Sequence, residues 1–376
     1  MSKKVILLKI DDYNPKVLGA RVREALDMHF PLPQWIKPHS KILLKPNLLM
    51  AATPEEAVTT HPVFIEVVGQ IFQEAGYPVS IADSPGGFIS DKDVAGLYEE
   101  LGLTILAQRN NFELLFPTES FIDQELPLCW WSRGFTMINL PKLKTHEIMV
   151  LTLATKNLYG CISGLHKSHL HHMHPQTDSF AYIITKLYRM LNPPLSIVDG
   201  ILAMEGHGPA KKGKPRKLGL VAIGNDALYT DYVISRFLSL PEAANPLVRQ
   251  ARREGLFELS ELEYISEFDS NVTDFNFPPP FIINRLPAKV VSLLKSFFKF
   301  RPTIDISRCT ACAMCVRVCP QKAITMKVGK ATIDHSRCIM CMCCGEMCRF
   351  GAVDIDKSAV LKILDMVFRR GKNGKT

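Results

Sequence analysis

Between Cys309 and Cys348 the chain carries two runs of four cysteines at one spacing, and no other feature limits what it can fold into as strongly. The first reads Cys309-x2-Cys312-x2-Cys315-x3-Cys319-Pro320, and the second reads Cys338-x2-Cys341-x2-Cys344-x3-Cys348. Three closely spaced thiolates from one loop and a fourth crossing over from the other run make the ligand pattern of paired four-iron clusters. The spacing predicts two 4Fe–4S clusters. One takes Cys309, Cys312, Cys315 and Cys348, and the other takes Cys338, Cys341, Cys344 and Cys319. Zinc fits less well, because it takes its thiolates as two separated pairs. The runs also repeat their surroundings: Asp305-Ile-Ser307-Arg308-Cys309 recurs as Asp334-His-Ser336-Arg337-Cys338, and Ala323 recurs as Ala352, which implies a duplicated half-domain. Two positions break the repeat. Arg349 stands where the first run has Pro320, and Cys343 falls at the position of Met314, as a packing residue or as a spare thiol able to exchange with Cys344.

The opening MSKKVILLKI contains no apolar leader with a cleavage site, and no later stretch is apolar for long enough to cross a bilayer. Free thiols and iron–sulfur ligands are then expected in a reducing, cytoplasmic setting. Charge is unevenly spread: residues 281–376 hold 18 Lys and Arg against 6 Asp and Glu, whereas residues 1–280 hold 27 against 31. Part of the C-terminal excess offsets the negative charge of thiolate-bound clusters. The remainder suits a small acidic electron donor or acceptor such as a ferredoxin or flavodoxin, since complementary charge speeds encounter. Nucleic acid is not expected, because neither a helix-turn-helix nor an aromatic RNA-binding motif accompanies the basic charge. The tail Arg369–Lys375 reads as a frayed terminus.

The first 240 residues alternate short apolar runs with longer helix-like stretches. Strands are expected at Val5–Ile10, Lys41–Lys45, Val79–Ala82, Thr136–Leu140, Leu195–Val198 and Leu218–Ile223. Helices are expected from Asn14-Pro15 to about Met28, from His61-Pro62 to Gly76, and from Asn225-Asp226 through Phe237. This pattern predicts an α/β layered domain over residues 1–280 with a mainly parallel or mixed sheet. A linker follows at 281–302, where Val290, Leu293, Leu294 and Phe297 lie at helical spacing among lysines. The segment Leu286–Phe300 is read as an amphipathic helix packing the two domains together, with membrane-surface contact as the alternative. Residues 303–358 form a small α+β cluster domain, and 359–376 a C-terminal helix and basic tail.

Open α/β sheets bind ligands beyond their strand ends, and polar signatures gather there. Lys45 and Asn47 follow the second strand, and Thr60 precedes a helix. Asp83, Ser84 and Gly86 follow the third strand, and Lys142, Lys144 and His146 the fourth. Lys156 and Asn157 come next, and Asp199 and Glu205 follow the strand ending at Val198. Several lysines with hydroxyls and loop amides imply a small anionic ligand. Neither a Walker loop nor a GxGxxG fingerprint accompanies them. The tract His166–His174 packs five histidines into nine residues, which suits metal binding, proton transfer or a plain polar loop.

In order along the chain, Lys45-Pro46-Asn47-Leu48-Leu49, Thr59-Thr60-His61-Pro62, Asp83-Ser84-Pro85-Gly86, Leu140-Pro141-Lys142-Leu143-Lys144-Thr145-His146, Lys156-Asn157-Leu158-Tyr159-Gly160 and Asp199-Gly200-x3-Met204-Glu205-Gly206-x-Gly208-Pro209 resemble the family called domain of unknown function 362. The resemblance spans roughly residues 40 to 240. It implies fusion to a two-cluster ferredoxin-like domain and carries no defined activity. Two functions are compatible with these features. In the first, a reductase passes electrons from the clusters to a small anionic substrate, held and activated by Lys142, Lys144 and Lys156, with His146 or the histidine tract supplying protons. In the second, an electron-transfer or metallocofactor-maturation accessory protein relays electrons to a client. A third reading keeps the clusters as structural staples of a binding protein.

Overall fold

The computed structural model describes residues 2–278 and 300–357, apart from 88, 89, 118, 165 and 175. The expected helix Leu286–Phe300 and the expected C-terminal helix and tail at 359–376 fall outside these residues. The one exception is Phe300, which opens a strand rather than closing a helix.

The large domain is built on strands β1 (Lys3–Lys9), β2 (Ile42–Pro46), β3 (Val79–Ile81) and β4 (Glu113–Leu114). A separate hairpin, β5 (Ser120–Asp123) with β6 (Leu126–Cys129), is followed by β7 (Thr136–Leu140), β8 (Lys142–His146) and β9 (Val150–Thr152). The series ends with β10 (Leu195–Gly206), β11 (Gly213–Gly224) and β12 (Leu262–Ser266). The main sheet is mixed, in the order β12-β1-β11-β10-β7-β2-β3-β4, with β8 and β9 joining through β10. Strands β10, β7, β2, β3 and β4 run parallel, whereas β11 is antiparallel to both neighbours.

Successive side chains along a strand face opposite sides of its sheet, and here both sides are apolar. Ile6, Leu8, Ile42, Leu44, Val221 and Ile223 enter a core shared with the helices Pro15–His29 and Pro62–Glu74. Their neighbours Val5, Leu7, Leu43, Leu220 and Ala222 enter a second core under the helix Ala227–Phe237. A sheet greasy on both faces has to be covered on both, which gives three layers.

The expected helix starts hold. The Asn14 side chain accepts from Lys16 N and Val17 N, the His61 ring accepts from Val63 N, and Asp226 accepts from Leu228 N and Tyr229 N. Asn225 has a different task from capping: its side chain pairs with the backbone of Lys4 and Ser2. Two further expectations change. Strands β10 and β11 run on well past Val198 and start well before Leu218, as one long hairpin. The histidine tract is a helix, His166–Met173, rather than a loop.

The small domain is pseudo-symmetric. Its strands β13 (Phe300–Ile304), β14 (Ile324–Lys327), β15 (Lys330–Ile333) and β16 (Val353–Lys357) pair as β13–β16 and β14–β15. Asp305 N donates to Ala352 O at 2.7 Å, and its repeat partner Asp334 N donates to Ala323 O at 2.7 Å. The Ser307 and Ser336 hydroxyls donate to Asp305 and Asp334 at 2.5 and 2.6 Å. Among the described residues no helix is long and apolar enough to cross a membrane.

Candidate functional site

Lys142, Lys144 and His146 alternate along β8 and therefore share one of its faces. All three are buried, and each meets a different partner. Lys142 Nζ lies 2.8 Å from Asp199 Oδ2 and 3.0 Å from the Tyr13 hydroxyl, which itself donates to Asp199 Oδ1 at 2.7 Å. His61 N donates to Asp199 Oδ2 at 2.9 Å, and the His61 ring stacks on Tyr13 at 3.7 Å. Lys144 Nζ donates to Asn47 Oδ1 at 2.8 Å and to Val58 O at 2.6 Å, and burial is the main cause that lowers it to about 7. His146 Nδ1 accepts from the backbone N–H groups of Ile148 and Met149, which leaves the neutral ring's proton on Nε2. That nitrogen stands 3.0 Å from Glu346 Oε1, a residue of the small domain, in an orientation too oblique for a hydrogen bond.

Parallel strands β2, β3 and β7 release their following segments at one sheet edge, and a cavity of about 90 Å³, open to solvent at its mouth, lies there. Of the residues expected to bind substrate, Asn47, Asp83, Ser84, Gly86, Lys156 and Asn157 line it. Lys45, Thr60, Asp199 and Glu205 do not, and neither do Lys142, Lys144 and His146. Lys45 is a buried support, its ammonium 2.8 Å from Asp83 Oδ1. Thr60 Oγ1 ties Leu140 O to Asn47 N. Glu205 lies elsewhere, accepting from Asn276 N at 3.1 Å.

The cavity wall includes residues whose role the sequence did not disclose. Lys167 and His171 come from the histidine tract, one helical turn apart on its buried side, and this i, i+4 spacing is the signal that could have marked them. Lys167 Nζ donates to Ser84 Oγ at 3.0 Å and also to Ile162 O. His171 stacks on Phe180 at 4.2 Å, and burial first of all pulls it down to about 4, so its ring is neutral at ordinary pH. Three lining groups lack hydrogen-bond partners among the described residues, Glu346 Oε1 being one of them. The Lys156 ammonium makes no hydrogen bond and stands 5.6 and 5.8 Å from the rings of Tyr159 and Phe180, and burial lowers its pKa against the opposing pull of Glu346. The buried Thr152 hydroxyl has none.

The small domain closes the cavity with Val318, Cys343, Glu346 and Met347. Burial alone would raise the Glu346 carboxyl, but His146, Lys156 and His171 outweigh it and hold it well below the usual range. Gly86 and Gly87 let the two domains approach. A Cβ on Gly87, whose φ is +78°, would stand 2.6 Å from Val318 Cγ1, and one on Gly86 would stand 3.4 Å from Met347 Sδ.

The cysteines fit a cluster-binding role. Cys309, Cys312, Cys315 and Cys348 line a single small cavity, the crossed-over set expected from the spacing. Loops of both runs turn through left-handed residues at matching places, Ala311 and Ala313 in one and Met340 and Met342 in the other. Ala323 N and Ala352 N donate to the sulfurs of Cys319 and Cys348, each at 3.2 Å. Without metal the thiols disfavour each other's ionisation: burial and then Cys312 and Cys348 push Cys315 up to about 11, and burial and then Cys341, Cys338, Cys315 and Cys319 push Cys344 well up. Iron removes that penalty. Among the described residues no three His, Cys, Asp or Glu side chains close on a single metal ion, those of the histidine tract included.

The family described as Domain of unknown function (DUF362) matches residues 42–236. The chain belongs to that family. A 4Fe-4S binding domain matches residues 302–325, which places iron–sulfur binding in the small domain. Among curated proteins, the thylakoid-associated protein sll1697 of Synechocystis sp. is 32% identical over 308 residues, covering 80% of this chain and 94% of its own. No solved structure matches. The DUF362 segment contains every large-domain residue named above on the cavity wall, from Asn47 to His171. The residues that close the cavity, Val318 to Met347, lie beyond it.

Proposed function

We propose that this DUF362 protein is an iron–sulfur reductase that passes electrons from two 4Fe–4S clusters to a small anionic substrate in the cavity between its domains. One observation carries the reading. Lys156 and Thr152 present an ammonium and a hydroxyl without hydrogen-bond partners to a cavity whose wall also includes Cys343, flanked in sequence by the ligand cysteines Cys341 and Cys344. A buried cation and a buried hydroxyl without partners are costly, and an anionic ligand removes both costs.

The clusters supply one electron at a time, here provided by an external one-electron carrier. The first would be held by Cys309, Cys312, Cys315 and Cys348, and the second by Cys338, Cys341, Cys344 and Cys319. The chain's own residues do the rest. Lys156 Nζ and Thr152 Oγ1 bind the anion, and the Lys167–Ser84 pair with the Gly86–Gly87 backbone borders it. Lys142, Lys144 and Lys45, expected to touch substrate, instead shape the wall from behind. His146 Nε2 stands 3.0 Å from Glu346 Oε1 and helps to keep that carboxylate ionised at the cavity wall. Eleven cysteines, none in a disulfide and eight of them assigned here to clusters, suit a reducing, cytoplasmic compartment.

The test is anaerobic. The protein is reduced with dithionite, excess reductant is removed, and the iron–sulfur absorption is followed as small-molecule fractions of a cell extract are added. Reoxidation by a small-molecule fraction in the wild type, lost in Lys156→Ala with iron content unchanged, is expected. Reoxidation by the protein fraction alone would overturn the reading in favour of an electron relay to a client protein.

A further inference from the structure

The two cysteine loops face different surroundings. Cys343 is buried against the interdomain cavity and Cys344 and Cys348 in the core of the small domain, whereas Cys312 is exposed together with its neighbours Thr310 and Ala311. The cavity formed by Cys309, Cys312, Cys315 and Cys348 opens beside Met326 and Phe350, which are 37% and 42% exposed. Next to this opening stands the hairpin β14–β15. Its Lys330 Nζ donates to Cys309 O at 2.5 Å, and at its tip Val328 is fully exposed. In the hairpin register Lys327 lies directly opposite Lys330. Like charges across a ladder are unfavourable, and no acidic side chain among the described residues pairs with either lysine. An apolar rim flanked by two unneutralised cations has the composition of a docking face for an acidic protein.

We infer that the Cys312 loop and the β14–β15 hairpin form the docking face of a small acidic one-electron carrier protein, and that electrons enter here and leave at the interdomain cavity. This rests on the reductase reading above and deepens it by giving the carrier a place and the transfer a direction. The occupant is fixed by three things: charge of the opposite sign to Lys327 and Lys330, an apolar patch to meet Met326, Val328 and Phe350, and a redox group able to approach Cys312. Each docking oxidises the carrier by one electron. Two dockings and two protons complete a two-electron reduction of the substrate.

The experiment uses the full, cluster-loaded chain and two probes, an acidic 2Fe–2S ferredoxin and an acidic flavodoxin. Affinity is measured by calorimetry at low ionic strength, and contacts are mapped by zero-length carboxyl-to-amine crosslinking with mass spectrometry. Lys327→Glu/Lys330→Glu should weaken carrier binding by about tenfold or more and abolish crosslinks to the hairpin. A control with the same change of net charge on the large domain, Lys16→Glu/Lys37→Glu, should leave binding within about twofold. Equal loss in both double variants would mean that net charge alone attracts the carrier, and crosslinks confined to the large domain would place docking elsewhere. Absence of binding by either probe to the wild type also overturns the inference. Dithionite-reduced Lys327→Glu, which leaves the bond from Lys330 to Cys309 O intact, should still be reoxidised by substrate at the wild-type rate. That arm separates the two ideas, because it fails only if the cavity reading fails.

Discussion

Lys142 is the residue for which sequence and structure disagree most usefully, since a lysine behind a strand in a polar motif invites a catalytic role and its actual setting denies one. Its side chain and that of Asp199 are both fully buried, 2.8 Å apart. Lys142→Met removes the cation and leaves Asp199 facing the Tyr13 hydroxyl at 2.7 Å and His61 N at 2.9 Å. Stripping one partner from a buried pair costs about 3–5 kcal/mol. Two charge-assisted hydrogen bonds persist, so the loss should sit at the lower end, about 3 kcal/mol. For a domain of this size that corresponds to a fall in Tm of roughly 6–12 °C. Lys142→Met/Asp199→Asn should recover about 2 kcal/mol, because no buried charge is then left alone and the amide oxygen still accepts one hydrogen bond. The assay is anaerobic urea unfolding of the cluster-loaded protein, followed by fluorescence of the buried Trp131, beside the reoxidation assay. The reasoning fails if Lys142→Met unfolds like the wild type, or if it keeps its stability but no longer reoxidises with substrate, which would put Lys142 back in the site.

Cys312→Ala should lower iron content by about half and leave the second set of ligands loaded; iron analysis showing no loss would refute the ligand assignment. Gly87→Val places a branched side chain at φ +78° and 2.6 Å from Val318 Cγ1, so it should cost about 1–3 kcal/mol and loosen the domain junction. Limited proteolysis should then release the small domain faster than in Gly96→Ala, whose added Cβ meets nothing within 4 Å and whose φ is not positive. Lys144 is depressed to about 7 by burial, below its unfolded value near 10.4. Between those values the unfolded chain binds more protons, so this residue makes stability rise as pH rises from about 7 to about 10. Lys144→Met should flatten that rise in unfolding free energy, and an unchanged pH profile would contradict it.

Much of the scaffold was legible because it rests on local physics. Apolar runs marked β1, β2, β3 and β7 to within a residue or two, and Asn14, His61 and Asp226 marked helix starts by their capping chemistry. The strand character of Lys142–His146 was also present, as a period-two alternation of cations with Leu143 and Thr145. It was concealed because the alternating residues were charged, and charged alternation ordinarily means a solvated face. Here both faces are buried, and Lys142, Lys144 and His146 meet Asp199, the Asn47 and Val58 carbonyl oxygens, and Glu346, partners that only the folded chain brings near.

That last partner shows why the site could not be assembled from motifs. His146 and Glu346 are two hundred residues apart in sequence, one in the DUF362 segment and one between the cysteines Cys344 and Cys348. Within its own run Glu346 is one acidic residue in a short helix, and within β8 His146 is the end of a strand. Neither motif predicts the other. Their meeting turns two modules into one site, because the same approach brings Cys343 and Met347 over Lys156 and brings Val318 onto Gly87. If the junction is a working site, loosening it at Gly87 should impair substrate reoxidation even when every cysteine still holds its iron. If the modules act independently, the loosened protein should behave as the wild type does.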